Sequence, residues 1–199
     1  MNKTYRRSGK IHDELLDAAI RLLEDGDLRD LTVRRIAAEA GVSTMAVYTA
    51  FGSRDGVLDA LYLHGFEDLA AHVAQGDSNG DPYDRLIAMI DRYIDFWAAQ
   101  PSRYALMFDI EGSDFSPSNG SREGAKTAFL HLADAYSRAI AKNNSDPSAH
   151  EGAFALWALI HGLLSMRGHL PPQERELPAI RARIHRAVEI VVSPGADTT

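Results

Sequence analysis

Residues 31–61, LTVRRIAAEAGVSTMAVYTAFGSRDGVLDAL, decide the fold of this chain. Thr32 stands just ahead of a helical pattern, where its hydroxyl can accept from the free backbone N–H groups of the next turn. A short helix begins there, with Ile36, Ala37 and Ala40 on its inner face. Gly41 follows at the position where a helix ends in a left-handed residue, and the apolar Val42 turns inward after it. Ser43 caps a second helix, Thr44 to Phe51. The 3.6-residue period turns Val47 and Phe51 inward and leaves Thr44, Met45, Tyr48 and Thr49 on another face. Ser53 then caps a third helix with Arg54 in its first turn. Two short helices joined by a glycine-containing turn form the helix-turn-helix unit, which lays its second helix in the major groove of DNA.

That geometry assigns roles. Thr44, Met45 and Thr49 are expected at base edges, where Thr and Met methyls suit a thymine methyl. Arg34 reaches a phosphate or a guanine edge, and Tyr48 and Arg54 contact phosphates. Thr32 and Ser43 either add hydroxyls to the same surface or serve as caps alone.

With Val47-Tyr48, Phe51 and Ser53-Arg54-Asp55 in sequence, the stretch resembles the TetR family of bacterial transcriptional regulators. In that family a Tyr follows an apolar residue in the groove helix, a Phe closes it, and a basic residue near the next helix start meets a phosphate. The chain departs from many relatives at Ala50 and Thr49, positions that concern base preference and not fold. The resemblance implies an all-α protein of about nine helices, with a helix-turn-helix domain followed by a helical domain for ligand binding and dimerisation. It also implies a repressor that is released from a palindromic operator by a small molecule.

The charge balance cuts against a protein that grips nucleic acid everywhere. With 21 Lys and Arg against 28 Asp and Glu, the net charge is −7. Its distribution matters more than its sum. Lys3, Arg6, Arg7 and Lys10 come with no acidic residue in the first ten, Arg34, Arg35 and Arg54 flank the groove helix, and the acid excess lies mostly beyond residue 60. The basic arm either follows phosphates or is a solvated tail. Hydrophobic residues make up 45% of the chain, enough for a real core, and there is no cysteine for disulfides or thiolate chemistry. No run long enough to span a membrane and no signal peptide is found, so a cytoplasmic protein without membrane contact is expected.

Along the chain, a helix is expected from about Gly9 to Glu24, with Ile11, Leu15, Ala18, Ala19, Leu22 and Leu23 in one stripe. A long helix runs from Ser53 to about Gln75. The following GDSNG matches a serine-hydrolase pattern but lacks the strand a nucleophile elbow needs. His150-Glu151 lacks the second His of a zinc hydrolase, and no cofactor or metal is expected. Pro82 opens a helix to Gln100, and Pro101 another to Phe108. The Gly-, Ser- and Pro-rich run from Asp109 to Ser121 reads as a mobile loop. Further helices cover about Arg122 to Asn143, Pro147 to His169 and Leu177 to Val192, and Ser193 to Thr199 reads as a disordered tail. The expected domains are 1–58 and 59–192.

A groove helix reads only a few base pairs, so two copies must face a two-fold-symmetric operator. Ala153, Ala158, Gly162 and Ser165 on one helix permit close approach, and Ile180, Ile184 and Val188 form a stripe on the next; together these are the expected homodimer face. Phe66, Met89, Tyr93, Trp97, Met107, Phe108, Phe129, Trp157 and His161 are candidates for a pocket taking an apolar or aromatic ligand, or fill the core. Trp157, His161 and Gly162, with Arg103 to Phe108 upstream, resemble the family's Trp-His-Gly subgroup. The contrasting reading is an all-helical protein-interaction module without sequence-specific DNA binding.

Overall fold

A computed structural model of the chain describes residues 3–26, 28–75, 80–108, 115–140 and 147–192, the side chains of residues 3–8 and 147 excepted. The expected GDSNG loop, basic-arm side chains and C-terminal tail fall largely outside those residues. Among the described residues the protein is all-α, with no strand. Its nine α-helices are α1 (Lys3–Glu24), α2 (Val33–Glu39), α3 (Thr44–Phe51), α4 (Arg54–Ala74), α5 (Pro82–Ala99), α6 (Pro101–Phe108), α7 (Asn119–Ala139), α8 (Pro147–Ser165) and α9 (Leu177–Val192).

Two compact units result, and a single cut near residue 58 does not separate them. The first is Met1–Asp68 with Ala99–Lys126, the second Leu69–Ala98 with Thr127–Thr199. Helices α4 and α7 each begin in the first unit and end in the second.

In the first unit, the stripe Leu15, Ala18, Ala19 and Leu23 of α1 is buried with Ile36 and Ala37 of α2, Val47 of α3, and Val57, Leu58 and Leu61 of α4. Each large side chain so buried contributes about 1.5–3 kcal/mol. Helix α1 starts at Lys3, ahead of the expected Gly9. One glycine in a helix costs only about 1 kcal/mol, too little to end a helix whose later turns are anchored. Arg103 of α6 is 5% exposed and donates to Asp68 Oδ2 at 2.5 Å and Glu24 Oε1 at 3.0 Å, tying α6 to α4 and α1. A charge so deeply buried is tolerable only when paired in this way.

The run from Asp109 to Ser121 is not wholly the mobile loop its composition suggested. Residues 109–114 lie outside the description, but Phe115 is buried with its ring 6.3 Å from Tyr62, and α7 begins at Asn119, ahead of the expected Arg122. An aromatic anchor and a serine cap outweigh local Gly and Ser content.

In the second unit, Leu86, Met89, Ile90, Ile94 and Phe96 of α5 are buried, as are Leu156, Ile160 and Leu164 of α8 and Val192 of α9. Arg181 of α9 donates to Asp91 at 2.5 Å and Asp95 at 2.6 Å, both on α5, and His185 Nε2 lies 2.7 Å from the same Asp91 oxygen. Burial works to lower the Arg181 pKa, and the two carboxylates outweigh it and raise it. Helix α8 stops at Ser165 and continues as a 3-10 turn, Met166–His169. Although apolar nearly all round, α8 is buried on one side only, and Phe154, Ala155 and Ala158 stay exposed.

Candidate nucleic-acid interface

Thr32 is the N-cap of α2, with extended backbone (φ −106°, ψ 148°) and its Oγ1 accepting from Arg35 N at 3.3 Å. Gly41 has φ +67°, the left-handed residue that the turn needs, and Val42 N donates back to Ala37 O at 2.9 Å. Ser43 is the N-cap of α3, but its side chain makes no capping bond; the turn is closed instead by Ala46 N donating to Ser43 O at 3.0 Å. Gly52, which the sequence reading passed over, is a second left-handed residue at φ +76°. It ends α3 so that Ser53 can cap α4, Ser53 Oγ accepting from Gly56 N at 3.1 Å.

This framework holds one face of α3 clear. Val47 is fully buried and the Phe51 ring lies tilted against His12 of α1 with ring centroids 4.5 Å apart, which fixes the helix from behind. Thr44 and Thr49 are exposed, Met45 is 69% exposed and Tyr48 52%. Thr49 donates its hydroxyl hydrogen to Met45 O at 2.8 Å, so that donor is committed to its own helix. Beside this face, Arg35 pairs with Asp30 at 2.6 Å and Arg21 with Glu39 at 2.9 Å. Arg34 is exposed and has no ion-pair partner among the described residues.

Arg54 is placed differently from the expectation. Its guanidinium turns inward, donating from Nε to Leu31 O at 2.6 Å and from Nη2 to Leu28 O at 2.9 Å. Residues 28–30 form a 3-10 turn in which Leu28 O accepts from Leu31 N at 3.3 Å, and Arg54 adds a charged donor to that carbonyl and to Leu31 O at the end of the turn. Its position in the sequence matches a phosphate-contacting residue; its geometry is that of a brace that sets the angle between α4 and the segment leading into α2.

The pocket candidates divide between the two units. Phe66, Met107 and Phe108 belong to the first unit, with Phe66 and Phe108 rings 5.1 Å apart. Met89, Tyr93, Trp97, Phe129, Trp157 and His161 belong to the second. There, Phe129 meets Trp157 edge-on at 6.1 Å, and Trp157 stacks on His161 at 6.0 Å. The dimer candidates also divide. Ala153, Ile180, Ile184 and Val188 are fully buried in their own unit, because α8 and α9 use them against each other, and they offer nothing to a second chain. Ala158 and Ser165 are exposed, and Gly162 has no neighbour within 4 Å of where a Cβ would lie. Phe154 of α8 and Ile190 of α9, which the sequence reading did not name, are also exposed.

Among the described residues, no group of His, Asp and Glu is arranged to hold a metal, and no helix is long and apolar enough to cross a membrane. An exposed, groove-sized helix on a buried two-helix support, with a free arginine beside it, defines a helix-turn-helix DNA-binding protein. Residues 15–61 match the family described as bacterial regulatory proteins, tetR family, and residues 86–190 match the tetracyclin repressor-like C-terminal domain. The chain belongs to the TetR family, and it is a DNA-binding transcriptional regulator. The HTH-type transcriptional regulator BetI 1 of Chromohalobacter salexigens is 27% identical over 192 residues, covering 88% of this chain and 87% of that protein. BetI of Stenotrophomonas maltophilia is 29% identical over 174 residues, covering 79% and 81%. A crystal structure of a tetR-family regulator from Streptomyces coelicolor matches the fold with a TM-score of 0.68 at 15% identity, covering 96% of this chain and 92% of that one.

Proposed function

We propose that the protein is a cytoplasmic homodimeric repressor that binds a palindromic operator and leaves it when a small molecule occupies the second unit. The observation that carries the DNA half of this reading is the face of α3, where Met45 and Tyr48 stand 69% and 52% exposed on a helix whose other face is locked into the core. Large apolar and aromatic side chains held out on so short a helix need a partner surface, and the major groove supplies thymine methyls for Met45, Thr44 and Thr49. Tyr48, Arg34 and the unengaged hydroxyl of Ser43 reach phosphates, and Thr32 acts chiefly as a cap. Arg54 acts by bracing.

The dimer reading is supported by exposed Phe154, Ala158 and Ser165 of α8 with half-buried Gly162 among them, where small residues admit a second helix closely. The ligand is taken to be apolar or aromatic, on the strength of Phe129, Trp157 and His161 with the α5 residues Met89, Tyr93 and Trp97. Trp157, His161 and Gly162 are also the basis for kinship with the Trp-His-Gly subgroup. The test is selection of bound sequences from a random duplex pool at two salt concentrations. One palindromic consensus supports the reading. Retention without any sequence enrichment overturns it in favour of DNA binding without sequence preference, no retention at either salt overturns it in favour of a protein-interaction module, and a recovered operator gives the release assay for ligands.

A further inference from the structure

Helix α7 is fastened to α4 at one place inside the first unit. Ser118 caps α7, its Oγ accepting from Ser121 N at 3.2 Å. Asp59 of α4 lies across that cap: Oδ1 accepts from Ser118 N at 2.7 Å, and Oδ2 accepts from Ser121 Oγ at 2.8 Å. A carboxylate here also faces the positive end of the α7 dipole. Two contacts flank this joint. The Phe115 ring lies 6.3 Å from Tyr62, and a Cβ on Gly124 would fall 2.3 Å from Leu63 Cδ1, so α7 lies against α4 without a gap. One turn before Asp59 in α4, a Cβ on Gly56 would fall 1.9 Å from Phe51 O, so the first turn of α4 is pressed onto the last residue of α3. From Thr127 onward α7 belongs to the second unit.

We propose that Asp59, Ser118 and Ser121 are positioning residues for DNA binding. They clamp the start of α7 to α4, and α4 in turn sets the attitude of α3, so whatever the second unit does to α7 reaches the groove helix through this clamp. Coupling of this kind demands a continuous physical path whose two ends respond to each other. Here the path is α7, the serine–aspartate clamp, α4, then the Gly56–Phe51 contact. This role rests on the chain's action as a DNA-binding regulator, so the test includes one readout that needs no DNA.

The experiment compares full-length protein with Ser121→Ala, which removes one hydrogen bond, and Asp59→Asn, which removes the charge. Ser116→Ala serves as control, since Ser116 Oγ accepts only from Arg122 Nη2 on the same segment. Amide hydrogen exchange is measured without DNA, and affinity for the selected operator duplex is measured at two salt concentrations. Loss of the clamp is expected to speed exchange of the α3 amides about tenfold and weaken operator binding by a similar factor, as loss of a hydrogen bond of ordinary strength implies. The salt slope should stay unchanged, because no phosphate contact is removed. The control should behave as wild type. Faster exchange confined to the first turn of α7, with α3 unmoved, overturns the proposal, and so does a uniform rise across the whole first unit. If no operator is selected, the DNA-binding reading fails on its own and the α3 exchange still decides the clamp. Should Asp59→Asn not fold, Ser121→Ala alone carries the decision.

Discussion

Arg54 and Arg34 make opposite use of the same functional group. Arg54 is bound to the carbonyls of Leu28 and Leu31, so Arg54→Ala removes two charge-assisted hydrogen bonds and is expected to cost about 1.5–3 kcal/mol of stability, read by urea unfolding. Its operator affinity should fall with no change in salt slope. A slope lower by about one unit would instead restore the phosphate role. Arg34 is exposed and unpaired among the described residues, and Arg34→Ala should show the reverse: unchanged stability, weaker binding to every sequence, and a slope reduced by about one unit. Sequence could not separate the two, because both are arginines at the edge of a helix-turn-helix. What separates them is a 3-10 turn that runs past Arg54 in space and presents the Leu28 and Leu31 carbonyls to its guanidinium, a tertiary fact with no local signature. Gly41 was legible, since a glycine between two capped helices has one evident use. Gly56 was not: its reason is the Phe51 carbonyl pressed against it.

Among the helices, periodicity identified the motif and the apolar stripes of α1 and α9, because those residues answer to their own helix first. It erred where an element answers to a distant one. The start of α7 lay hidden in a Ser- and Gly-rich run, although Ser118 followed by Ser121 has the spacing of a helix start, and its fixing depends on Asp59 far upstream. That carboxylate supplies a pH test. Burial works to raise its pKa, while hydrogen bonds from Ser118 and Ser121 outweigh burial and hold it below the ordinary aspartate range. A group with a lowered folded pKa stabilises the fold above its unfolded pKa and loses that contribution as pH falls through the folded value. The stability difference between wild type and Asp59→Asn should therefore be full at neutral pH and shrink below about pH 4. A difference that stays constant down to pH 2 would show that the charge on Asp59 contributes nothing.

For the assembled protein, the face to watch is the bare side of α8. Its buried side was readable as an all-round apolar helix, but which residues faced outward was not, since Ala153 and Ala158 look alike in sequence and differ only in which neighbour α9 covers. Ala158→Arg puts a charge on this exposed side without entering the protomer core, so if α8 forms the proposed dimer, sedimentation should show dimer for the wild type and monomer for the variant, with far-UV circular dichroism unchanged. Dimer retained in that variant would move the interface elsewhere. The interleaving of the two units has a different reach. Because the first unit takes its last elements from Ala99–Lys126, a ribosome that has released only residues 1–68 has delivered the entire groove-reading motif without Arg103, Met107 or the Ser121 clamp that hold it. The DNA-reading end of this chain is thus among the first parts synthesised and must wait for α6 and the start of α7 before it is complete. A nascent or prematurely terminated product therefore carries the recognition helix without the frame that aims it.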